Sequence, residues 1–166
     1  MKIAYTLAPG RGETNLLLAE FAEEMAKRGL RLCGTVQVDT ERDKDHHCDM
    51  DVKVLPEGPV IRISQDLGKE ARGCRLDTNA LEEAVALTDR QLGEGADLLL
   101  VNKFGKHEAD GRGFRDTIGQ ALAAGVPIIV GANKLNVQAL IDFCDGMAVE
   151  LAPEVDVLRD WVLTSE

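Results

Sequence analysis

Aromatic side chains are scarce in this sequence: they make up 4% of its 166 residues, whereas apolar residues of all kinds make up 45%. The core must therefore be built from aliphatic side chains. Apolar runs are short, and none approaches the roughly 20 residues that a membrane-spanning helix needs. The start of the sequence lacks a basic segment followed by an apolar stretch. We therefore expect a cytoplasmic protein with no membrane partner.

Positive charge is in the minority. The sequence has 19 Lys and Arg residues against 29 Asp and Glu residues, which gives a formal net charge of −10. A chain this acidic is repelled by polyanions, so we expect no nucleic-acid partner. Basic residues are nevertheless concentrated locally between Lys103 and Arg115.

Cysteine pairs are absent in the spacing that marks a disulfide framework or a zinc site. The four cysteines form no C-x-x-C motif, so we expect reduced thiols. Histidine and cysteine also occur together in one segment, but adjacent residues rarely bind one ion, so we expect no metal site there. The residues concerned are Cys33, Cys48, Cys74 and Cys144, with His46 and His47 beside Cys48.

Strand-like and helix-like segments alternate along the chain. A chain of 166 residues suits one domain, so we expect residues 1–166 to form a single domain. Alternation with apolar central strands predicts a three-layer α/β fold, in which helices cover both faces of a mostly parallel sheet. The expected strands are 2–7, 30–38, 96–101, 126–130 and 147–151, and the expected helices are 14–28, 79–92, 114–124, 135–143 and 153–163.

One segment departs from this alternation. Residues 50–55 and 60–63 alternate between apolar and polar, and Pro56-Glu57-Gly58-Pro59 between them is a strong turn signal. This pattern predicts a small β-hairpin inserted into the parallel sheet. Residues 66–78 and 102–113 are rich in glycine and charge, so we expect loops there. The hairpin is also the expected contact surface if the protein forms a homodimer.

The segment Ala-Pro-Gly-Arg-Gly-Glu-Thr-Asn at residues 8–15 joins the first predicted strand to the first predicted helix. A phosphate-binding P-loop occupies this place in many α/β proteins. Aligned on Gly12, the pattern G-x-x-x-x-G-K-[ST] requires glycine where Leu7 stands and lysine where Glu13 stands. Only Gly12 and Thr14 fit the pattern, so the segment predicts a P-loop-like turn without its lysine.

The first residues of such a helix favour anions, because their N–H groups lack partners and the helix dipole is positive there. We expect Gly10 and Gly12 to let the backbone approach a ligand. Arg11 would add positive charge, and Thr14 would cap the helix or reach a magnesium ion. A plain turn between strand and helix would also explain the glycines.

Glu13 opposes anion binding. Two like charges 4 Å apart repel by about 4 kcal/mol at an effective dielectric constant near 20. Three alternatives stay open. Glu13 points to solvent, or it holds a cation that bridges to phosphate, or another cation replaces the lysine. The candidates for that replacement are Arg11, Lys103 and Lys106.

A second group of candidate residues follows the apolar strand at 98–101. In P-loop proteins such a strand is followed by an aspartate that supports magnesium and often by a catalytic acid. Asn102 and Lys103 stand there instead. We expect Asn102 to orient a water, Lys103 to supply positive charge, and Glu108 to act as a base or metal ligand. A solvated charged loop is the alternative.

Both loops follow parallel strands, whose carboxyl ends share one edge of a sheet. We therefore expect the two loops to face each other. Negative charge has replaced lysine in one loop, and Lys103 has replaced a carboxylate in the other. A direct ion pair between Glu13 and Lys103 would indicate a closed, empty site.

Three segments resemble an uncharacterised bacterial family that is known as a domain of unknown function and is often encoded beside molybdate-uptake genes. These segments are residues 29–37, 73–77 and 101–113, among which Asn-Lys-Phe-Gly-Lys is the most specific. The resemblance implies a P-loop-related α/β fold with no assigned activity. The chain is also similar in layout to P-loop nucleoside-triphosphatases, and it departs from them at Glu13, Asn102 and Lys103.

Three hypotheses for the function follow. The first is a protein that binds a nucleotide or oxyanion with weak or no hydrolysis and is linked to molybdate metabolism. The second is a working nucleoside-triphosphatase or kinase with relocated catalytic groups. The third is a non-catalytic regulatory partner. The first two require a small anionic ligand, and a nucleotide with magnesium is the cofactor that they suggest.

Overall fold

The computed structural model describes residues 2–10, 12–39, 50–65 and 75–164. The strands are β1 (Ile3–Thr6), β2 (Leu32–Asp39), β3 (Met50–Val54), β4 (Val60–Arg62), β5 (Ser64–Gln65), β6 (Arg75–Leu76), β7 (Leu98–Val101), β8 (Ile128–Gly131) and β9 (Val149–Glu150). The helices are α1 (Glu13–Lys27), α2 (Thr78–Glu94), α3 (Lys106–Ala109), α4 (Arg115–Ala124), α5 (Val137–Phe143) and α6 (Val155–Leu163).

Seven strands form one sheet in the order β4-β3-β2-β7-β8-β1-β9. Strands β2, β7, β8, β1 and β9 run parallel, and β3 and β4 add an antiparallel hairpin at one edge. This arrangement confirms the predicted mostly parallel α/β sheet and its hairpin insertion. Strand β8 lies between β7 and β1, so the ends of β7 and β1 are separated by one strand.

Helices cover both faces of this sheet. Along β7, Leu99 and Val101 belong to one apolar cluster, which includes side chains of α2, α4 and α5. Leu98 and Leu100 belong to a second cluster, which includes side chains of α1 and α6. Neighbouring residues of a strand point to opposite faces, so both faces of β7 are buried. None of the helices in the described ranges is long and apolar enough to cross a membrane.

Two predicted loops contain short elements that periodicity could not show. Lys106–Ala109 forms the one-turn helix α3 inside the expected loop 102–113. Arg75–Leu76 pairs with β5 as strand β6 at the end of the expected loop 66–78. A helix of four residues and a strand of two residues each span about one repeat of their patterns, so no periodicity can be recognised. Helix α2 is capped by Asp77, whose carboxylate accepts the Ala80 N–H at 3.1 Å, so it begins one residue before the expected Asn79.

Gly34 allows β2 and β7 to approach each other. Its φ is +111°, and a Cβ atom there would overlap with the carbonyl of Leu100 in β7. Both the backbone conformation and the space therefore require glycine. Because β7 is the strand that leads into the second predicted loop, this contact helps to position that loop.

We predict that Gly34→Ala lowers the free energy of unfolding by about 2 kcal/mol or more, because alanine is strained at this φ and collides with β7. Gly93→Ala is the matched control: Gly93 lies in α2 with nothing within 4 Å of its added Cβ. The control should stabilise the protein by about 0.5–1 kcal/mol. Urea unfolding of both variants measures the difference, and equal effects would contradict the close approach.

Candidate functional site

The loop at residues 8–15, called here the anion loop, uses its own side chains to bind its backbone. Helix α1 starts at Glu13, and Gly12 precedes it with φ +77°, a conformation that favours glycine. The Ala8 N–H donates to Thr14 Oγ1 at 2.9 Å. The Gly10 N–H donates to Glu13 Oε2 at 3.1 Å. Arg11 lies outside the described residues.

The Glu13 carboxylate therefore folds back over the anion loop rather than extending into solvent. A Cβ atom on Gly10 would overlap with this carboxylate, so the absence of a side chain at Gly10 makes room for it. The side chain as a whole remains exposed. Where a P-loop would have its lysine, Glu13 thus places a negatively charged oxygen against a loop N–H group.

Asn102 joins three elements at the end of β7. It is 4% exposed, its Oδ1 accepts the Gln37 N–H at 3.0 Å, and its Nδ2 donates to Asn15 Oδ1 at 3.0 Å. These bonds connect β7 with β2 and with the first turn of α1. They confirm that the two predicted loops are adjacent. They use one lone pair and one hydrogen of the amide that we expected to orient a water, which leaves one of each.

The ion pair between Glu13 and Lys103 that would have indicated a closed site is not formed in the part of the chain that the structure describes. Glu13 is bound to Gly10 instead. Lys103 is exposed, and its positive charge acts on Glu108 and lowers the pKa of that carboxyl. The negative charge of Glu13 and the positive charge of Lys103 therefore do not neutralise each other in a direct ion pair.

Glu108 is a buried acid, with 3% of its surface exposed. Burial raises its pKa from 4.5 to about 7, although hydrogen bonds from the backbone of Glu108 and Gly105 and the charges of His107 and Lys103 oppose the rise. The carboxyl group lies beside Gly113, where an added Cβ would be 2.9 Å from its Cδ. At neutral pH this group can either donate or accept a proton, which is what general acid–base chemistry requires.

Glu82 was missed by sequence reasoning, since an acid near the start of a helix is common. Its Oε1 lies 2.8 Å from His107 Nε2 and accepts the Gly113 N–H at 3.0 Å. Helix α2 is thereby connected to α3 and to the turn that follows it. This contact holds the chain around Glu108 in place.

A cavity of about 280 Å³ lies over the carboxyl ends of β2 and β7 on the α2 face of the sheet. Four predicted site residues line it: Asn102, Lys103, Lys106 and Glu108. None of Gly10, Gly12, Glu13 and Thr14 is among its lining residues. The sequence-predicted residues therefore form two neighbouring sites, the anion loop and this cavity, which the Asn15–Asn102 hydrogen bond connects.

Metal ligands do not cluster in the described ranges: no group of three or more His, Cys, Asp or Glu side chains there could hold an ion. His46, His47, Cys48 and Cys74 lie outside the described residues. Cys33 and Cys144 are buried free thiols, and burial raises the pKa of Cys33 to about 12. These two thiols are therefore unreactive core residues.

Residues 3–161 match the family described as "Protein of unknown function (DUF2478)". The chain belongs to this family. A curated relative is the molybdenum import ATP-binding protein ModC 2 of Bradyrhizobium diazoefficiens, which is 32% identical over 160 residues. That match covers 96% of this chain and 18% of the relative, so the chain spans less than a fifth of that protein.

Two solved structures share the fold. THEP1 from the hyperthermophile Aquifex aeolicus has a TM-score of 0.66 at 21% identity, covering 93% of this chain and 90% of that one. A human cancer-related nucleoside triphosphatase has a TM-score of 0.67 at 18% identity, with both chains fully covered. The protein therefore has an α/β fold of the P-loop nucleoside-triphosphatase type, as predicted.

We predict a pH-dependent stability that depends on Glu108. Its pKa is raised on folding, so its contribution is fully present below the unfolded value of about 4.5 and is lost as the pH rises through about 7. Between about pH 4 and pH 8, wild type should lose about 3 kcal/mol of unfolding free energy relative to Glu108→Gln. Urea unfolding across this range measures the difference. Parallel curves for the two proteins would contradict it.

The control for this measurement is Glu20→Gln on the exposed surface of α1. It makes the same chemical change without removing a buried carboxyl group. Its unfolding free energy should follow the wild-type pH dependence. A deviation similar to that of Glu108→Gln would show that net charge, rather than burial, causes the effect.

Proposed function

We propose that this protein binds a nucleotide or another phosphate-like oxyanion at the anion loop and that its hydrolysis of phosphate bonds is weak or absent. The observation that supports this function is the Gly10 N–H, which already holds an anionic oxygen, that of Glu13, at 3.1 Å. A ligand oxygen would take the place of this carboxylate. Glu13 is exposed, so nothing packs over its side chain to prevent rotation away from the loop.

The cost of displacing Glu13 is modest. A hydrogen bond to a charged group contributes about 1.5–3 kcal/mol when buried, and the exposure of Glu13 reduces this. A bound anion would also meet the first N–H groups of α1, which have no partner within a helix, and the positive end of its dipole. The loop can therefore bind an anion, with an affinity lowered by its own carboxylate.

Weak hydrolysis follows from the two substitutions. Glu13 supplies negative charge where a lysine would stabilise the developing charge on phosphate. Asn102 carries no charge for a metal, and its amide is engaged by Gln37 and Asn15. The names of the neighbours, a nucleoside triphosphatase and an ATP-binding import protein, support a nucleotide as the ligand.

We also propose a link to molybdate metabolism, which the name of the curated relative supports.

The absence of paired cysteines in the sequence and its strong negative charge support a cytoplasmic location. A homodimer would use the edge strand β4, whose Val60 is 57% exposed. Molybdate is accordingly one of the ligands to be tested.

We predict that Glu13→Gln raises the affinity for ATP, inorganic phosphate or molybdate about tenfold, because a glutamine oxygen can still accept the Gly10 N–H while the negative charge is removed. Glu13→Lys should raise it further. Isothermal titration with magnesium-ATP, phosphate and molybdate measures these affinities. Glu20→Gln is the matched control, since it removes the same charge from the same helix at a distance from the loop, and it should leave the affinities near wild type.

The anion loop is not a binding site if neither wild type nor these Glu13 variants bind any of the three ligands. Equal gains from Glu13→Gln and Glu20→Gln would also contradict the proposal, because they would show an effect of net charge alone. The ATP titrations should show no phosphate release above background in wild type.

A working nucleoside-triphosphatase is the second candidate, and it is favoured by the buried acid Glu108 with Lys103 nearby. In this case Glu108 accepts a proton from the attacking water, and Lys103 stabilises negative charge on phosphate. It predicts magnesium-dependent phosphate release that falls about 100-fold in Lys103→Ala. Release at background in wild type, or equal release from both proteins, would exclude this role for Lys103.

A further inference from the structure

The cavity over β2 and β7 contains two buried polar groups that lack side-chain partners. Thr35 is 1% exposed and lines the cavity. Its hydroxyl has no hydrogen-bond partner in the described part of the chain. The Glu108 carboxyl also lines the cavity, where it accepts hydrogen bonds from the backbone of Glu108 and Gly105 and keeps lone pairs for which no described side chain supplies a donor. Leaving a buried polar group unpaired costs about 1–3 kcal/mol, so such groups usually have a partner that is not part of the chain.

The size and walls of the cavity suit an organic ring. Its volume of about 280 Å³ is close to the lower end of the roughly 300–1,000 Å³ range of small-molecule sites. Apolar side chains from three directions form most of the walls, which favours a flat apolar face over a hydrated ion. These side chains include Met50 and Val52 of β3, Leu81 of α2 and Phe114 before α4.

The charges around the cavity limit the ligand further. Lys103 and Lys106 line the cavity and are exposed, so they face both the ligand and solvent. Their charges repel a cationic ligand and attract an acidic substituent at the opening. The buried Glu108 carboxyl instead calls for neutral hydrogen-bond donors. A ligand that satisfies both has adjacent N–H groups at one edge of a ring and an anionic group at the other end.

From this combination we propose that the cavity binds a 2-amino-oxopyrimidine ring, such as the base of a guanine nucleotide. The ring N–H and the amino group donate to the two Glu108 oxygens, and Thr35 contacts another polar edge of the ring. This proposal deepens the proposed function by naming the base of the nucleotide, and it rests on that function only for the phosphates. Carboxylates accept paired donors well, because their two oxygens lie side by side.

Guanosine tests the cavity without involving the phosphate site. Isothermal titration at about pH 8, where Glu108 is mostly ionised, should detect guanosine binding to wild type. Inosine keeps the ring N–H and lacks the amino group, so it should bind at least about tenfold more weakly, and adenosine should bind more weakly still. Equal affinities for the three nucleosides, or no binding of guanosine, would overturn the proposal.

Two variants test the residues. Glu108→Gln should lower guanosine affinity by about tenfold or more, since an amide cannot accept both donors. Thr35→Val should lower it by about fivefold, yet it should leave the melting temperature of the free protein unchanged or raised, because the hydroxyl has no partner there. Glu20→Gln is the charge control. Unchanged guanosine affinity in both cavity variants, or a lower melting temperature for free Thr35→Val, would overturn the assignment.

The two sites can fail separately. If guanosine binds and depends on Glu108 while Glu13 variants do not alter phosphate binding, the cavity proposal stands and the anion loop is not the phosphate site. If phosphate binding responds to Glu13→Gln while guanosine does not bind, the proposed function stands and the base assignment is wrong.

Discussion

The complete burial of β7 is the constraint on which the arrangement of both sites depends. All four of its residues, Leu98–Val101, are 0% exposed, with helices on both faces and strands on both sides. A polar side chain can first appear where this strand ends, at Asn102. The amide there joins β2 and α1 through Gln37 and Asn15. This junction fixes the start of the loop that follows β7, and with it the position of Glu108.

The same junction separates two chemical environments. On the α1 side the anion loop turns its own carboxylate onto Gly10 and its Thr14 hydroxyl onto Ala8, so two loop N–H groups are satisfied by the chain itself. On the α2 side the chain satisfies less: a cavity remains, with the Glu108 carboxyl and the Thr35 hydroxyl at its walls. Space and hydrogen-bonding capacity that the chain leaves unused therefore occur together on the α2 side. In the anion loop, by contrast, the Glu13 carboxylate takes the place that a ligand anion would occupy.

The main strands, the main helices and the hairpin could be predicted from sequence, because burial on one face leaves a periodic pattern and burial on both faces leaves an unbroken apolar run. The short α3, β6 and the Asp77 cap could not, because each depends on one or two hydrogen bonds formed with other parts of the chain. The adjacency of the two loops followed from the rule that parallel strands end at one edge. The separation of the site into a loop and a cavity did not, since it depends on which face of the sheet each side chain occupies.

The direction of Glu13 shows a second limit of sequence reasoning. Charge exchange between Glu13 and Lys103 left a direct ion pair open, yet the carboxylate binds a backbone N–H three residues away and Lys103 acts on Glu108. A local hydrogen bond requires only rotations of one side chain, whereas a pair across two loops requires ordering two long exposed side chains, for little gain in water.

Exchanging the two charges therefore has a different effect: it removes positive charge from the anion loop and adds it beside the cavity. An anion at the anion loop therefore meets the negative charge of Glu13, and an anion at the cavity opening meets the positive charge of Lys103. The charges in this protein consequently favour an anionic group near Lys103 and Lys106, next to the buried acid, more than the usual P-loop residues at these positions would.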